Sequence, residues 1–272
     1  MQKQFNYKET NIVYQDIGKG QPIVLLHGFG EDSCIWESQL ESLSKEYRVI
    51  VPDLPGSGKS TMLNNNNAAI EDFATCIMEL LVFAKIEKCI LLGHSMGGYI
   101  TLAFAEKYAF MLSAFGLIHS TAFADTEEKK ETRLKSIQFL KEHDPFTFLK
   151  TSIPNLFSTK TKNDNETLIT TLIERGRNFS SQALIQYCKA MMNRSDKTEV
   201  LRKTKLPVLF IMGEEDIAAP LVDLLKQVPL PTVSTIHILK DVGHMGMLEK
   251  PTDVTQFLLS FCRFVSQEIT DL

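Results

Sequence analysis

The chain has little of what marks the specialised protein classes, and each shortage excludes something. Its five cysteines, at positions 34, 76, 89, 188 and 262, are odd in number and widely spaced, which argues against a disulfide framework and against a paired zinc-binding pattern. They read as reduced thiols in a core. No segment approaches the roughly 20 apolar residues that a membrane span needs, and residues 1 to 8 lack the apolar stretch of a secretory signal. A soluble, cytoplasmic protein is the expectation. An excess of one charge is missing too: 29 basic and 33 acidic residues leave a formal charge of −4. That gives neither the basic footprint of a nucleic-acid binder nor a polybasic membrane signal, so small molecules are the expected partners. Histidines paired at helical spacing are absent, so zinc chemistry has no sequence support, and no metal or cofactor is expected.

What is present is an ordinary globular composition, 44% hydrophobic over 272 residues, enough for one large core or for a core plus an inserted subdomain. Apolar runs bounded by turn residues alternate with amphipathic stretches. Phe5 to Tyr7 and Ile12 to Asp16 suit an opening hairpin. Ile23 to Leu26, Arg48 to Val51, Cys89 to Leu92, Ala114 to Ile118, Val208 to Met212 and Val233 to Leu239 follow. Near-continuous Val, Ile and Leu is the mark of parallel strands covered on both faces. Helices are predicted over Ser33 to Lys45, Ala68 to Ala84, Met96 to Tyr108, Ala219 to Val228 and Thr252 to Gln267. The fold class is therefore α/β, a mostly parallel eight-stranded sheet flanked by helices.

From residue 121 to 205 no strand pattern appears, while helical patterns do: Thr126 to Lys141, Pro145 to Thr151, Glu166 to Arg177 and Ser181 to Asn193. That is too long for a simple crossover, so 121–205 is assigned to a helical lid inserted into a core of 1–120 and 206–272.

The most informative local pattern is Gly93-His94-Ser95-Met96-Gly97, directly after the run Cys89 to Leu92. A serine hydroxyl is a poor nucleophile at neutral pH and needs an imidazole to take its proton. Gly-x-Ser-x-Gly permits a tight strand-to-helix turn that presents the oxygen at the top of a sheet. Met96 starts the helix that follows, so its N–H is free to face a developing oxyanion. Far downstream, Gly243-His244 sits in a glycine-bounded loop after a strand, the place for a base. Asp216, in the loop beyond Val208 to Met212, is the carboxylate expected to orient His244, with Glu214 and Glu215 as neighbouring rivals. His119, His143 and His237 read as ordinary satisfied polar residues. Gly58-Lys59-Ser60 ends like a phosphate loop, but the glycine required upstream is replaced by Asp53.

Several segments in order, His27-Gly28-Phe29-Gly30, Pro52-Asp53-Leu54-Pro55-Gly56, the serine turn, Gly213-Glu214-Glu215-Asp216 and Gly243-His244, resemble the small lidded members of the α/β-hydrolase superfamily. The resemblance spans nearly the whole chain outside the lid. It implies a cofactor-free, esterase-like serine hydrolase acting on a small ester, thioester or related acyl compound through Ser95, His244 and Asp216. The second oxyanion donor would be the N–H of Phe29, with His27 holding its loop in shape. Some relatives place the acid at the position of Asp125. Gly28, Phe29 and Met96, together with Trp36, Phe123 and Phe146, are the candidate substrate contacts, core packing being the simpler account of Trp36. Arg133, Arg175, Arg177 and Arg194 in the lid are available to a substrate carboxylate, although solvated charge explains most of them. Related proteins also use this triad for carbon-carbon cleavage or elimination, as in a menaquinone-pathway synthase and ring-fission-product hydrolases, and others are small-ligand receptors. Relatives with an aspartate nucleophile, dehalogenases and epoxide hydrolases, are set apart by Ser95.

Overall fold

A computed structural model describes residues 2–270. The chain enters through a hairpin, β1 (Gln2–Tyr7) and β2 (Thr10–Ile17), and continues through β3 (Pro22–Leu26), β4 (Arg48–Pro52), β5 (Cys89–His94), β6 (Leu112–Ile118), β7 (Val208–Gly213) and β8 (Ser234–Leu239). These form one sheet in the order β1-β2-β4-β3-β5-β6-β7-β8. β1 with β2 and β2 with β4 pair antiparallel, and the remaining pairs are parallel. The central strands β5 and β7 are buried along their whole length, which is why their sequences are continuous runs rather than alternations. Four of the five cysteines are buried, and burial pushes the Cys76 and Cys89 thiols up to about 12.

Helices α1 (Glu37–Leu43), α2 (Ile70–Phe83), α3 (Met96–Tyr108) and, at the far end of the chain, Pro251–Thr270 cover the sheet. No helix among the described residues is long and apolar enough to cross a membrane. The stretch predicted as one helix from Ser33 begins instead as a 3-10 turn, Ser33–Trp36, with the Asp32 carboxylate accepting from the Cys34 N–H at 2.9 Å. The helix predicted over Ala219 to Val228 is reduced to Leu221–Leu224. Pro229 and Pro231 follow it closely, and a residue before proline is driven out of the helical region. The buried Gln227 side chain meanwhile accepts from Ala122 N–H at 2.7 Å and donates to the Ser120 carbonyl at 2.8 Å, tying this segment to the end of β6.

Between β6 and β7 the chain is mostly helical: α4 (Glu127–Glu142), α5 (Pro145–Ser152), α6 (Thr159–Asp164), α7 (Glu166–Arg175), α8 (Ser181–Met192) and α9 (Thr198–Lys203). The short α6 and α9 have too few turns to show a period in the sequence. Side-chain caps start several of these helices, Thr126 for α4, Asp144 for α5, Ser158 for α6 and Ser180 for α8. The insertion is fastened to the core by Tyr187 of α8, whose hydroxyl donates to the Pro55 carbonyl at 2.7 Å.

The sheet order also locates the site. From β3 the chain steps to β4 on one side and later returns to β5 on the other, so the winding reverses between β3 and β5. A crevice forms at the carboxyl ends of strands where the order reverses. Leu26 pairs with Gly93 there, so the segment after β3 and the segment after β5 emerge side by side.

Candidate active site

Ser95 sits between β5 and α3 with φ 50° and ψ −116°, a conformation that costs a non-glycine residue on the order of 1–3 kcal/mol. The surroundings hold it there. Its N–H donates to the Ile118 carbonyl at 3.0 Å and its carbonyl accepts from the Ser120 hydroxyl at 2.7 Å. The flanking glycines are demanded by crowding: a Cβ on Gly93 would lie 2.2 Å from the Gly97 carbonyl oxygen, and one on Gly97 would lie 2.6 Å from that of His27.

The loop after β3 is equally constrained. His27 Nε2 accepts from the Leu54 N–H at 2.9 Å, so the proton is on Nδ1, which donates to the Gly28 carbonyl at 2.9 Å. This fixes the turn carrying Phe29. Neither the Phe29 nor the Met96 N–H has a protein acceptor among the described residues. Gly28 is pressed against Ser95, since a Cβ there would lie 3.0 Å from the serine Cβ.

Glu31, which the sequence did not single out, is buried beside this loop. Its Oε2 accepts from the Gly28 N–H at 2.7 Å and from His94 Nδ1 at 2.9 Å, while His94 Nε2 donates to the His244 carbonyl at 2.9 Å. Burial works to raise the Glu31 carboxyl, but His94 and the Gly28 N–H together hold it below the usual range. His94, the residue before Ser95, thus bridges the loop after β3 to the loop of His244.

His244 Nδ1 donates to Asp216 Oδ2 at 2.8 Å, which leaves Nε2 as the basic nitrogen. Burial alone would lower its affinity for a proton, but the Asp216 charge and hydrogen bond outweigh burial and raise it above the ordinary value. Asp216 is saturated: Oδ1 accepts from the N–H groups of Ala218 and Ala219 at 3.0 and 2.8 Å, and Oδ2 also takes Nδ1 of His119 at 3.2 Å. Burial opposes its ionisation, yet the two histidines hold the carboxyl well below the usual carboxylate range. The rivals are occupied elsewhere, Glu215 accepting from the Thr159 N–H and Glu214 from the Asp241 N–H.

His119 departs from the sequence reading. It is fully buried at a positive φ of 49°, and while Nδ1 meets Asp216, Nε2 has no partner. Burial pushes its pKa down, keeping it neutral against the carboxylate. His119, Asp216 and His244 come close enough together to suggest a metal triad. The donor set does not fit one, because N–H groups already occupy both Asp216 oxygens. No local pattern around His119 signals its contact with a residue 97 positions away.

Ser95 and His244 line one cavity of about 150 Å³, together with Phe29 and Tyr99 from the core and Arg133, Leu156 and Met191 from the insertion. No hydrogen bond joins Ser95 to His244 among the described residues. The loop of His244 is stitched to the helical segment between β6 and β7: the His244 N–H donates to the Leu156 carbonyl at 2.6 Å, and Glu249 accepts from the N–H groups of Gly243 and Ser158, both at 2.9 Å.

Other candidate contacts lie elsewhere. Trp36 is fully buried in the core, because the 3-10 turn directs its indole inward. Phe123 lines a neighbouring pocket with Lys129 and Pro220. Phe146, in the first turn of α5, stacks beneath the Arg177 guanidinium at 3.7 Å. Asp125 binds Arg133 and Arg194 rather than a histidine. Arg175 pairs with Glu37 and Arg177 with Glu174, leaving Arg133 as the arginine on the cavity wall.

A family model described as alpha/beta hydrolase fold matches residues 21–251. Among curated relatives, the (E)-2-((N-methylformamido)methylene)succinate hydrolase of Acinetobacter baylyi is 31% identical over 129 residues, covering 47% of this chain and 48% of that protein. That match spans only about half of the relative's length. Lipase 1 of Psychrobacter immobilis is 28% identical over 258 residues, covering 88% of this chain and 76% of its own. A thermophilic esterase from Thermogutta terrifontis, solved with malate bound, superposes with a TM-score of 0.91 at 28% identity, covering 97% of this chain and 99% of that one. These relatives are hydrolases by name. The reversal in the sheet, the serine turn at its edge and the family match across most of the length lead to one assignment: this chain belongs to the α/β-hydrolase fold family.

Proposed function

We propose that the chain is a serine hydrolase of small esters, thioesters or related acyl compounds. The observation that carries this reading is His244, hydrogen-bonded at 2.8 Å to a buried carboxylate, on the wall of the cavity that also receives the strained Ser95. His244 Nε2 takes the Ser95 proton as the oxygen attacks the acyl carbon. The resulting oxyanion is held by the N–H groups of Phe29 and Met96, each such donor being worth about 3 kcal/mol of transition-state stabilisation. His244 then protonates the departing alcohol or thiol, and finally activates the water that cleaves the acyl-enzyme, while Asp216 keeps its ring in the correct tautomer. The missing contact between Ser95 and His244 is compatible with this role, since catalytic hydrogen bonds often tighten only when substrate arrives. The helical insertion serves as a lid, contributing Arg133, Leu156 and Met191 above the serine.

A second reading, carbon-carbon bond hydrolysis by the same three residues, has one observation in its favour, the cationic Arg133 in the cavity. Acyl-enzyme trapping separates the two. With a nitrophenyl ester the wild type should show a burst, a fluorophosphonate should label Ser95, and Ser95→Ala should lose about a million-fold in kcat. Undiminished ester cleavage by that variant would reject the assignment.

A further inference from the structure

Arg133 is placed in a way that hydrolysis of a neutral ester does not require. It comes from α4, in the insertion, and lines the same 150 Å³ cavity as Ser95 and His244. Asp125 faces it from below, but that carboxylate is shared. Its Oδ1 accepts from Arg194 Nη1 at 2.6 Å and from Arg133 Nη2 at 3.5 Å, and its Oδ2 from Arg133 Nε. Arg194 also donates to the Met191 and Phe123 carbonyls at 2.7 and 2.9 Å and lies 3.9 Å over the Tyr99 ring, with 4% of its side chain exposed. Arg133 is less enclosed. Its Nη1 has no protein acceptor among the described residues, and 20% of its side chain remains exposed.

The charges do not cancel. Two guanidinium groups share one carboxylate, which leaves an excess positive charge at the edge of the cavity. Glu31, the other charged residue on the wall, is committed to the Gly28 N–H and to His94. Apart from Tyr99, the lining includes Phe29, Leu156, Met191 and Ala218, which offer little to a polar group. A partly desolvated cation is costly unless an anion or water meets it. A carboxylate oxygen presented to Nη1 would make a charge-assisted hydrogen bond, the strong kind.

We infer that Arg133 is the recognition group for a substrate carboxylate, so that the preferred substrates are half-esters or lactones of short dicarboxylic acids, with the free carboxylate at the lid and the acyl carbon at Ser95. The cavity has the room of about five water molecules, which limits the spacer to a few methylenes. This inference rests on the hydrolase reading above and adds to it the anionic character of the acyl group.

The test compares monomethyl glutarate with methyl hexanoate, a neutral ester of similar length, in the wild type and in Arg133→Gln and Arg133→Lys. A hydrogen bond to a charged partner is worth about 10- to 100-fold in discrimination. The wild type should favour the half-ester by at least about 10-fold in kcat/KM. Arg133→Gln should erase most of that preference, chiefly through KM, and Arg133→Lys should keep part of it. Because Arg133 also binds Asp125, folding of each variant is checked by thermal melting. Protection of wild-type Ser95 from fluorophosphonate by free glutarate provides a readout that needs no variant and no turnover. Cleavage of both esters without preference, or equal preference in a folded Arg133→Gln, overturns the inference while leaving the hydrolase reading intact. Failure of glutarate to protect a serine that does label overturns it as well. Absence of both cleavage and labelling in the wild type would instead remove the reading on which it rests.

Discussion

The two walls of the cavity are made by different means. On the sheet side, Ser95 and Phe29 are placed by backbone: a left-handed serine between glycines that admit no Cβ, and a loop pinned through His27. On the insertion side, Arg133, Leu156 and Met191 are placed by side chains on separate segments, held by capped helices and by the Asp125 and Glu249 networks. The first wall is rigid and leaves few alternatives to its residues. The second can change its lining without disturbing the sheet, which is how one scaffold is fitted to different acyl groups.

That contrast can be broken in measurable ways. The largest effect is expected where the walls meet, at the Asp216–His244 pair. Asp216→Asn should lower kcat by about 10⁴-fold, since the imidazole loses its tautomer control and its counter-charge. His244 must be neutral to act as a base, and Asp216 raises its pKa, so the acid limb of kcat/KM in the wild type should lie above about 6.5. In the variant this limb should move to lower pH. An unmoved limb would mean that another group sets it. The signs for stability are opposite for the two partners. The raised His244 pKa stabilises the fold below the ordinary histidine value and the benefit is lost as pH rises through the folded value. The lowered Asp216 pKa stabilises above the ordinary carboxyl range and its benefit is lost as pH falls.

Next in size is a change confined to the backbone-built wall. Gly93→Ala would drive a Cβ to within 2.2 Å of the Gly97 carbonyl oxygen, and overpacking of this kind costs about 1–3 kcal/mol. Denaturant titration should detect the loss together with impaired labelling of Ser95. Full stability would show the serine turn to be looser than its contacts imply.

The smallest expected effect lies in the stitching between the walls. Glu249→Gln leaves one acceptor oxygen and replaces the other with an amide donor that faces N–H groups. It should cost about 1 kcal/mol in stability and shift kcat/KM by about 10-fold through the position of the His244 loop. Equal catalytic efficiency would separate the insertion contacts from placement of the base.

The alternation of strands and helices and the tight turn that carries Ser95 were legible in the chain itself. They depend on local rules: which residues suit a doubly covered strand, where glycine lets the backbone reverse, and which loops follow strands. The short α6 and α9 were not legible, nor was the truncated helix at Leu221–Leu224, where prolines downstream and a buried glutamine overrode the periodic pattern. What only the tertiary structure decided are the contacts between residues remote in sequence. It put His119 on Asp216, joined Glu31 to His94, sank Trp36 into the core, and chose Arg133 over Arg175 and Arg177 to face the cavity. The physical reason is that a helical pattern tells which face is buried but not against what, and burial of a charge has meaning only once its partners are known.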